Sequence, residues 1–275
     1  MKARQVCSDD WLAIETLHGK ARRALPQMWP WEEYLARDTF VIAEHNGAVM
    51  GVLFAWPDES PVAWARVAAL DNKLDVNAWL DSLLPSVLDG LRRFGSQALA
   101  WMDYARWAGI HLQARGFKPL TDVVTYSKFD QSLPSVDVTG IHLCPASDED
   151  ISTVVAIDRA AFAPHWWQSE DTVRRRATAS AHFYVARAGG EVVGYAEGEL
   201  RLPVAHLNRI AVLPSHQGRG IGASLLRGAI RDFWQQKAEW VTLNTQSHNR
   251  LSQRLYRRFG FEATGDSTTV WELKL

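Results

Sequence analysis

The stretch NRIAVLPSHQGRGIGASLL (208–226) decides how this chain folds. Ile210, Val212 and Leu213 read as a strand, Pro214 stops it, and glycines follow at 218, 220 and 222. From Ile221 apolar residues recur at helical spacing, through Leu225, Leu226, Ala229, Ile230 and Phe233. The unit is therefore strand, glycine loop, helix. Alternate glycines let backbone approach a ligand closely and turn several N–H groups the same way. The helix that opens there adds its unpaired donors and the positive end of its dipole. This suits a pyrophosphate, with Arg219 placed to add a charge-assisted contact. The spacing differs from a dinucleotide fingerprint, since no glycine follows Gly222 until Gly228. Ala223-Ser224 is also not the Lys-Ser/Thr that a P-loop requires.

The same reading extends outward. A short strand at 141–144 leads to Ser147, an N-cap with Asp150 three residues on, and a helix to about Ala161. A second helix is predicted over 172–179, a hairpin over 183–187 and 191–199 around Gly189-Gly190, and a strand over 205–213. After the glycine loop come a helix to about 236, a strand over 240–243, a helix over 249–259 closed by Gly260, and two strands at 261–263 and 268–273. Such an order predicts an α/β fold: a mixed sheet with helices on both faces.

The first half repeats the second. TFVIAEHNGAVMG (39–51) matches HFYVARAGGEVVG (182–194), with Phe40 over Phe183 and Gly51 over Gly194. Further on, Gly116-Phe117 falls over Gly260-Phe261, and upstream PQMWPWEEYL (26–35) resembles PHWWQSEDTV (164–173), Trp29 over Trp167. A period near 140 residues is a domain duplication. The expected domains are 1–130 and 141–275, joined by the Pro-, Ser- and Gly-containing seam 131–140. Opposite the glycine loop the first copy has DNKLDVNAW (71–79), which lacks glycine and holds two aspartates that would repel phosphate. The first copy is expected to keep the framework and lose the site.

Composition bounds the rest. The 275 residues are 47% hydrophobic and carry a net charge of −1, which gives no reason to expect nucleic acid or an anionic membrane as partner. Cys7 and Cys144, the two cysteines, make neither a disulfide framework nor a metal site, so no metal is expected. Without a signal-like start or a long apolar run, the expected setting is the cytoplasm.

The motif Gln217-Gly218-Arg219-Gly220-Ile221-Gly222 resembles the acetyl-CoA loop Q/R-x-x-G-x-G/A of the GNAT superfamily of N-acetyltransferases. Asn249, Leu255, Tyr256, Phe259, Gly260 and Phe261 resemble that family's second motif, and the likeness covers essentially all of 141–275. It implies two tandem GNAT-like domains, the first degenerate, with acetyl-CoA as co-substrate. It further implies that the backbone of Ile210, Ala211 and Val212 binds the pantetheine arm. The loop from Gly218 to Ala223, preceded by Gln217, would hold the pyrophosphate. Asn249 would touch the cofactor and Tyr256 would lie near the thioester sulfur; Asn249 also reads as an N-cap.

Acyl transfer to an amine needs a neutral nucleophile and a stabilised leaving thiolate. Where many relatives place a glutamate base, eleven residues before the motif glutamine, this chain has His206. At the position five residues before the motif asparagine, where another glutamate base occurs, it has Asn244. Candidates for the base are His206, Glu197 and Glu199, with Glu199 also able to meet the acceptor. The aromatic run Phe162 to Trp167 is expected to help build the acceptor pocket, Trp166 above all. The expected reaction moves an acetyl group to a primary amine of a small molecule or a protein. An acetyl-CoA-sensing module without turnover is the alternative.

Overall fold

The computed structural model describes all residues except 27–33, 59–60 and 137, so the expected match of Trp29 to Trp167 lies outside the described residues. The chain forms two compact units, one made of Met1–Thr121 with Thr268–Leu275, the other of Asp122–Ser267.

The first unit runs β1 (Lys2–Gln5), α1 (Trp11–Lys20), β2 (Arg23–Ala24), β3 (Phe40–His45), β4 (Ala48–Pro57), β5 (Val62–Leu70), α2 (Val76–Phe94), β6 (Ala98–Asp103) and α3 (Gly109–Gln113). The chain passes into the second unit within β7 (Lys118–Lys128). There follow β8 (Ile141–Pro145), α4 (Ile151–Ala161), α5 (Glu170–Ala179), β9 (His182–Ala188), β10 (Glu191–Arg201) and β11 (Val204–Val212). After these come α6 (Ile221–Gln235), β12 (Trp240–Gln246) and α7 (Arg250–Arg258). The last strand, β13 (Glu262–Lys274), returns to the first unit.

Each unit is a mixed sheet with helices on both faces. In the first, β1, β3, β4 and β5 pair antiparallel in that order, β5 and β6 pair parallel, and residues 269–274 of β13 close on β6, Thr269 opposite Asp103. In the second, β8, β9, β10 and β11 pair antiparallel, β11 and β12 pair parallel, and residues 123–128 of β7 close on β12, Val123 opposite Gln246. Relative to the repeat the closing strands are exchanged: the first sheet is closed by β13, from beyond the second unit's segment, and the second by the part of β7 that directly follows the first unit.

This corrects two expectations. The two strands predicted at 261–263 and 268–273 are one strand, and the units divide inside β7 and β13 instead of at 131–140. The seam is also not a free spacer. Leu133 and Val136 pack against the second unit's core, and a Cβ built on Gly220 would meet Val138 Cγ2 at 2.7 Å.

The cores follow from strand alternation, which sends neighbouring side chains to opposite faces. On β4, Val52 and Phe54 pack with Ile14 and Leu17 of α1, while Leu53 and Ala55 pack with Trp79 and Leu83 of α2. In the second unit Tyr195 of β10 joins Val154 of α4, and its neighbour Ala196 joins Leu225 and Phe233 of α6. The duplicated glycines share one function. A Cβ on Gly51 would strike Trp79 Cδ1 at 2.4 Å, and one on Gly194 would meet Ala211 O at 2.8 Å and Leu225 Cδ1 at 3.2 Å. Both let a helix lie close on its sheet.

Candidate active site

The site begins where two strands of the second unit part. β11 pairs with β12 only from Val204 to Leu207, opposite Trp240 to Leu243, while its other edge stays on β10 as far as Val212. Beyond Leu207, the β12 side of β11 is therefore open backbone, able to bond an extended chain of amides. Ile210, Ala211 and Val212 line the cleft that results, which has a volume of about 580 Å³.

The glycine loop forms one wall. Gly218 (φ +78°) and Gly220 (φ +81°) both occupy the left-handed region that only glycine enters without strain. Gln217 steadies the loop by donating from Nε2 to the Val212 carbonyl at 3.0 Å. Gly220 is the N-cap of α6 and offers no side-chain acceptor, so the N–H groups of the first turn have no side-chain cap. Gln217, Gly218, Gly220, Ile221, Gly222 and Ala223 all line the cleft. Arg219 is exposed, lies outside that lining and donates to the Ser215 carbonyl at 3.2 Å.

Helix α7 forms the opposite wall. Asn249 caps it, its side-chain oxygen accepting from Ser252 N at 3.1 Å, and lines the cleft as well. Tyr256 lies two turns further along the same face. It is 4% exposed, and burial pushes its hydroxyl up to about 12, a hydrogen bond with Ser252 working the other way. Its ring centroid is 6.2 Å from that of Tyr126, on the strand contributed by 122–128.

The base candidates sit differently from one another. Glu197 is buried, and both its oxygens are occupied: Oε1 accepts from Ser180 and Asn208 (2.8 and 2.9 Å), Oε2 from Arg176 (2.9 Å). Both oxygens are thus engaged by neighbouring side chains, which sets Glu197 apart from the other two candidates. Glu199 is half-exposed, pairs with Arg201 at 3.2 Å and stands opposite His206 in the strand register. His206 Nδ1 lies 2.7 Å from Thr242 Oγ1, which is 3.2 Å from the Ala205 carbonyl. If the hydroxyl donates to that carbonyl, Nδ1 must carry the imidazole proton and Nε2 holds the basic lone pair. Burial lowers the affinity of His206 for a second proton, with Glu199 and Glu197 opposing. None of these three residues belongs to the cleft lining.

Of the expected acceptor aromatics, Phe162 lines the cleft and Trp166 does not. Trp166 contributes its carbonyl, which accepts from Arg209 Nη2. The sequence reading also missed a buried cluster beside it. Asp158 accepts from Tyr195 OH at 2.6 Å and from Arg209 Nε at 2.8 Å, and the Arg209 guanidinium lies 4.1 Å over the Phe162 ring. A carboxylate on the apolar stripe Ile151, Val154, Val155, Asp158 was the available signal.

In the first unit the same places are filled. Its α2 is capped by Asp75, which accepts from Ala78 N at 2.9 Å, so a carboxylate stands where α6 presents bare glycine. The β5–β6 ladder also stops early, at Trp64 and Ala100, but Trp101 follows, and its ring meets those of Trp79 and Trp107 with centroids 6.4 and 6.1 Å away. The helix starts set Ala108 against Asn249, three residues from the Ala105 expected from a constant offset. Among the described residues no cluster of metal-ligating side chains occurs, and no helix is long and apolar enough to cross a membrane.

Residues 152–261 match the family model described as Acetyltransferase (GNAT) family. The chain is 32% identical over 124 residues to an uncharacterized N-acetyltransferase of Methanocaldococcus jannaschii, covering 42% of this chain and 74% of that protein. It is 26% identical over 218 residues to a mycothiol acetyltransferase of Mycobacterium sp. (strain MCS), covering 74% of this chain and 66% of that one. A solved tandem GNAT protein from the clavulanic acid biosynthesis pathway superposes with a TM-score of 0.65 at 16% identity, over 99% of this chain and 97% of that one.

Proposed function

Because the chain belongs to the GNAT family of acetyltransferases, we propose that its second unit moves an acetyl group from acetyl-CoA to a primary amine, and that its first unit is a degenerate copy with a structural role. The observation that carries this reading is the pairing of a glycine-capped helix start with a buried tyrosine across one cleft. The bare donors of α6 fit a pyrophosphate, and the open edge at Ile210, Ala211 and Val212 fits the amides of pantetheine. Acetyl-CoA supplies the thioester. The remaining steps belong to the chain's own side chains.

Tyr256 keeps its proton throughout the physiological range and can donate a hydrogen bond to the departing thiolate, full proton transfer to a thiolate of pKa near 8.5 being uphill from a phenol raised to about 12. The incoming ammonium must lose a proton, and His206 is the best-suited base of the three candidates, being neutral, with Nδ1 held by Thr242. Because it stands off the cleft lining, its proton route runs through water or the acceptor itself. Phe162 and the loop held by Arg209 shape the acceptor side. A relative acting on mycothiol chemistry matches most of this chain, which puts a mycothiol-related amine into the acceptor panel beside peptide N-termini.

The test is turnover of acetyl-CoA with that panel, combined with calorimetric titration of CoA. One site per chain and amine-dependent release of CoA are expected. Binding without turnover of any amine would shift the reading to a sensor, and no binding would end it.

A further inference from the structure

Helix α7 carries a run of positive charge with nothing in the helix to balance it. Its nine residues include Arg250, Arg254, Arg257 and Arg258 and no carboxylate. Arg250 and Arg254, then Arg254 and Arg258, are like charges four residues apart, which repel on a helix surface. Arg250 also sits in the first turn, against the dipole. Among the described residues none of the four pairs with an acid: Arg257 bonds Tyr126 OH and Gln253 Oε1, and Arg258 bonds the Ser135 carbonyl. Arg254 and Arg258, one turn apart, line the same cleft as the glycine loop.

CoA carries, beyond its pyrophosphate, an adenosine with a phosphate monoester on the ribose 3′ oxygen. That group bears close to two negative charges at neutral pH, and its three free oxygens match the fork of a guanidinium. We propose that Arg254 and Arg258 hold the 3′-phosphate, so that the site selects CoA over dephospho-CoA. The proposal rests on the acetyl-CoA reading of this cleft. It goes further by assigning a recognition task to residues that neither glycine motif includes, and it explains why a helix tolerates charges that weaken it.

The experiment is isothermal titration of the whole chain with CoA and with dephospho-CoA, each at low and at raised salt. Wild type should favour CoA by about tenfold or more, the value of one charge-assisted hydrogen bond, and salt should narrow the gap. In the Arg254→Gln/Arg258→Gln variant the preference should vanish while the affinity for dephospho-CoA stays that of wild type. The unchanged dephospho-CoA value is the control for folding, and Gln keeps the helix propensity. Equal wild-type affinity for the two ligands would overturn the 3′-phosphate assignment and leave the CoA reading standing. Failure of both to bind would overturn the two together.

Discussion

The Arg209 guanidinium grips both oxygens of the Asp158 carboxylate inside the second unit, Nε to Oδ2 at 2.8 Å and Nη2 to Oδ1 at 3.0 Å. Asp158 is fully buried, and Gln168 N also donates to it at 3.2 Å. The pair thereby ties β11, beside the open edge, to the loop carrying Phe162 and Trp166. Removing one partner strands a buried charge, which typically costs about 3–5 kcal/mol. Arg209→Met should lower unfolding stability by that amount in denaturant titration. Asp158→Leu/Arg209→Met together should recover much of it. A double variant no more stable than the single one would mean the loss comes from packing.

Gly222→Asp should abolish CoA binding without harming the fold. A Cβ there meets only Leu255 Cδ2 at 3.8 Å and Val212 Cγ2 at 3.9 Å, which is ordinary contact. The carboxylate would sit in the first turn of α6, two residues past its N-cap, where it suits the helix dipole and repels phosphate. A melting temperature at or above that of wild type is expected, together with CoA affinity reduced more than about tenfold. Gly220→Asp is the poorer test, because its positive φ and Val138 would strain the backbone whether or not phosphate binds there.

Tyr256→Phe should cut kcat by roughly 10²–10⁴-fold while leaving CoA affinity near wild type, the usual size of a general-acid contribution. Stopped assays with saturating acceptor measure it. The tyrosine's raised pKa adds a stability signature. Its folded value of about 12 exceeds the unfolded value near 10, so its contribution is complete below pH 10 and disappears as pH rises towards 12. The Phe variant should therefore lose part of the alkaline destabilisation. A Phe variant with wild-type kcat would make Tyr256 a packing residue.

Thr242→Val should lower kcat more than His206→Ala does at none of the pH values tested, since it acts only through the imidazole. Thr242→Ser should restore the rate. His206 itself is depressed by burial, so the stability it contributes is present above about pH 6.5, the unfolded value, and is lost as pH falls through its folded value. Urea titrations at acid and neutral pH should show a smaller difference for His206→Asn than for wild type. Thr242→Val with unchanged kinetics would remove the base from this strand.

Tyr126→Ala tests the strand exchange inside the intact chain. Tyr126 is 2% exposed, belongs to the core around α6 and lies against Tyr256. Truncating a buried aromatic residue costs about 3–5 kcal/mol. Calorimetry should show the transition of the acetyltransferase unit falling, although the residue precedes the expected start of that domain. An unaffected transition would mean the strand from 122–128 adds little.

Much of this was legible from pattern alone, and the failures have a common cause. Helical periodicity from Ile221 and the proline at 214 marked α6 and β11 correctly, because local spacing decides them. The repeat marked Gly51 and Gly194, whose close contacts leave no room for a side chain. The partners of Glu197 and of the Trp166 carbonyl were not legible, because sequence shows a residue's type but not which groups saturate it. The exchange of β7 and β13 was invisible, since a strand's own pattern is the same whichever sheet edge it joins. Arg209 escaped for the same reason, its partner being 51 residues away in sequence.

That exchange bears on how the protein is made. Residues 269–274 complete the sheet of the first unit, yet they are translated after the whole of the second unit's segment. At synthesis rates of about 5–20 residues per second, the first unit waits on the order of ten seconds with β6 lacking a neighbour. During that time β6 presents the fully buried residues Ala100 and Trp101 on an open edge. The β7 strand meanwhile must wait for β12. Nascent chains of this protein should thus hold their N-terminal half incomplete on the ribosome, a natural client for chaperones, and release it only when the closing strand emerges.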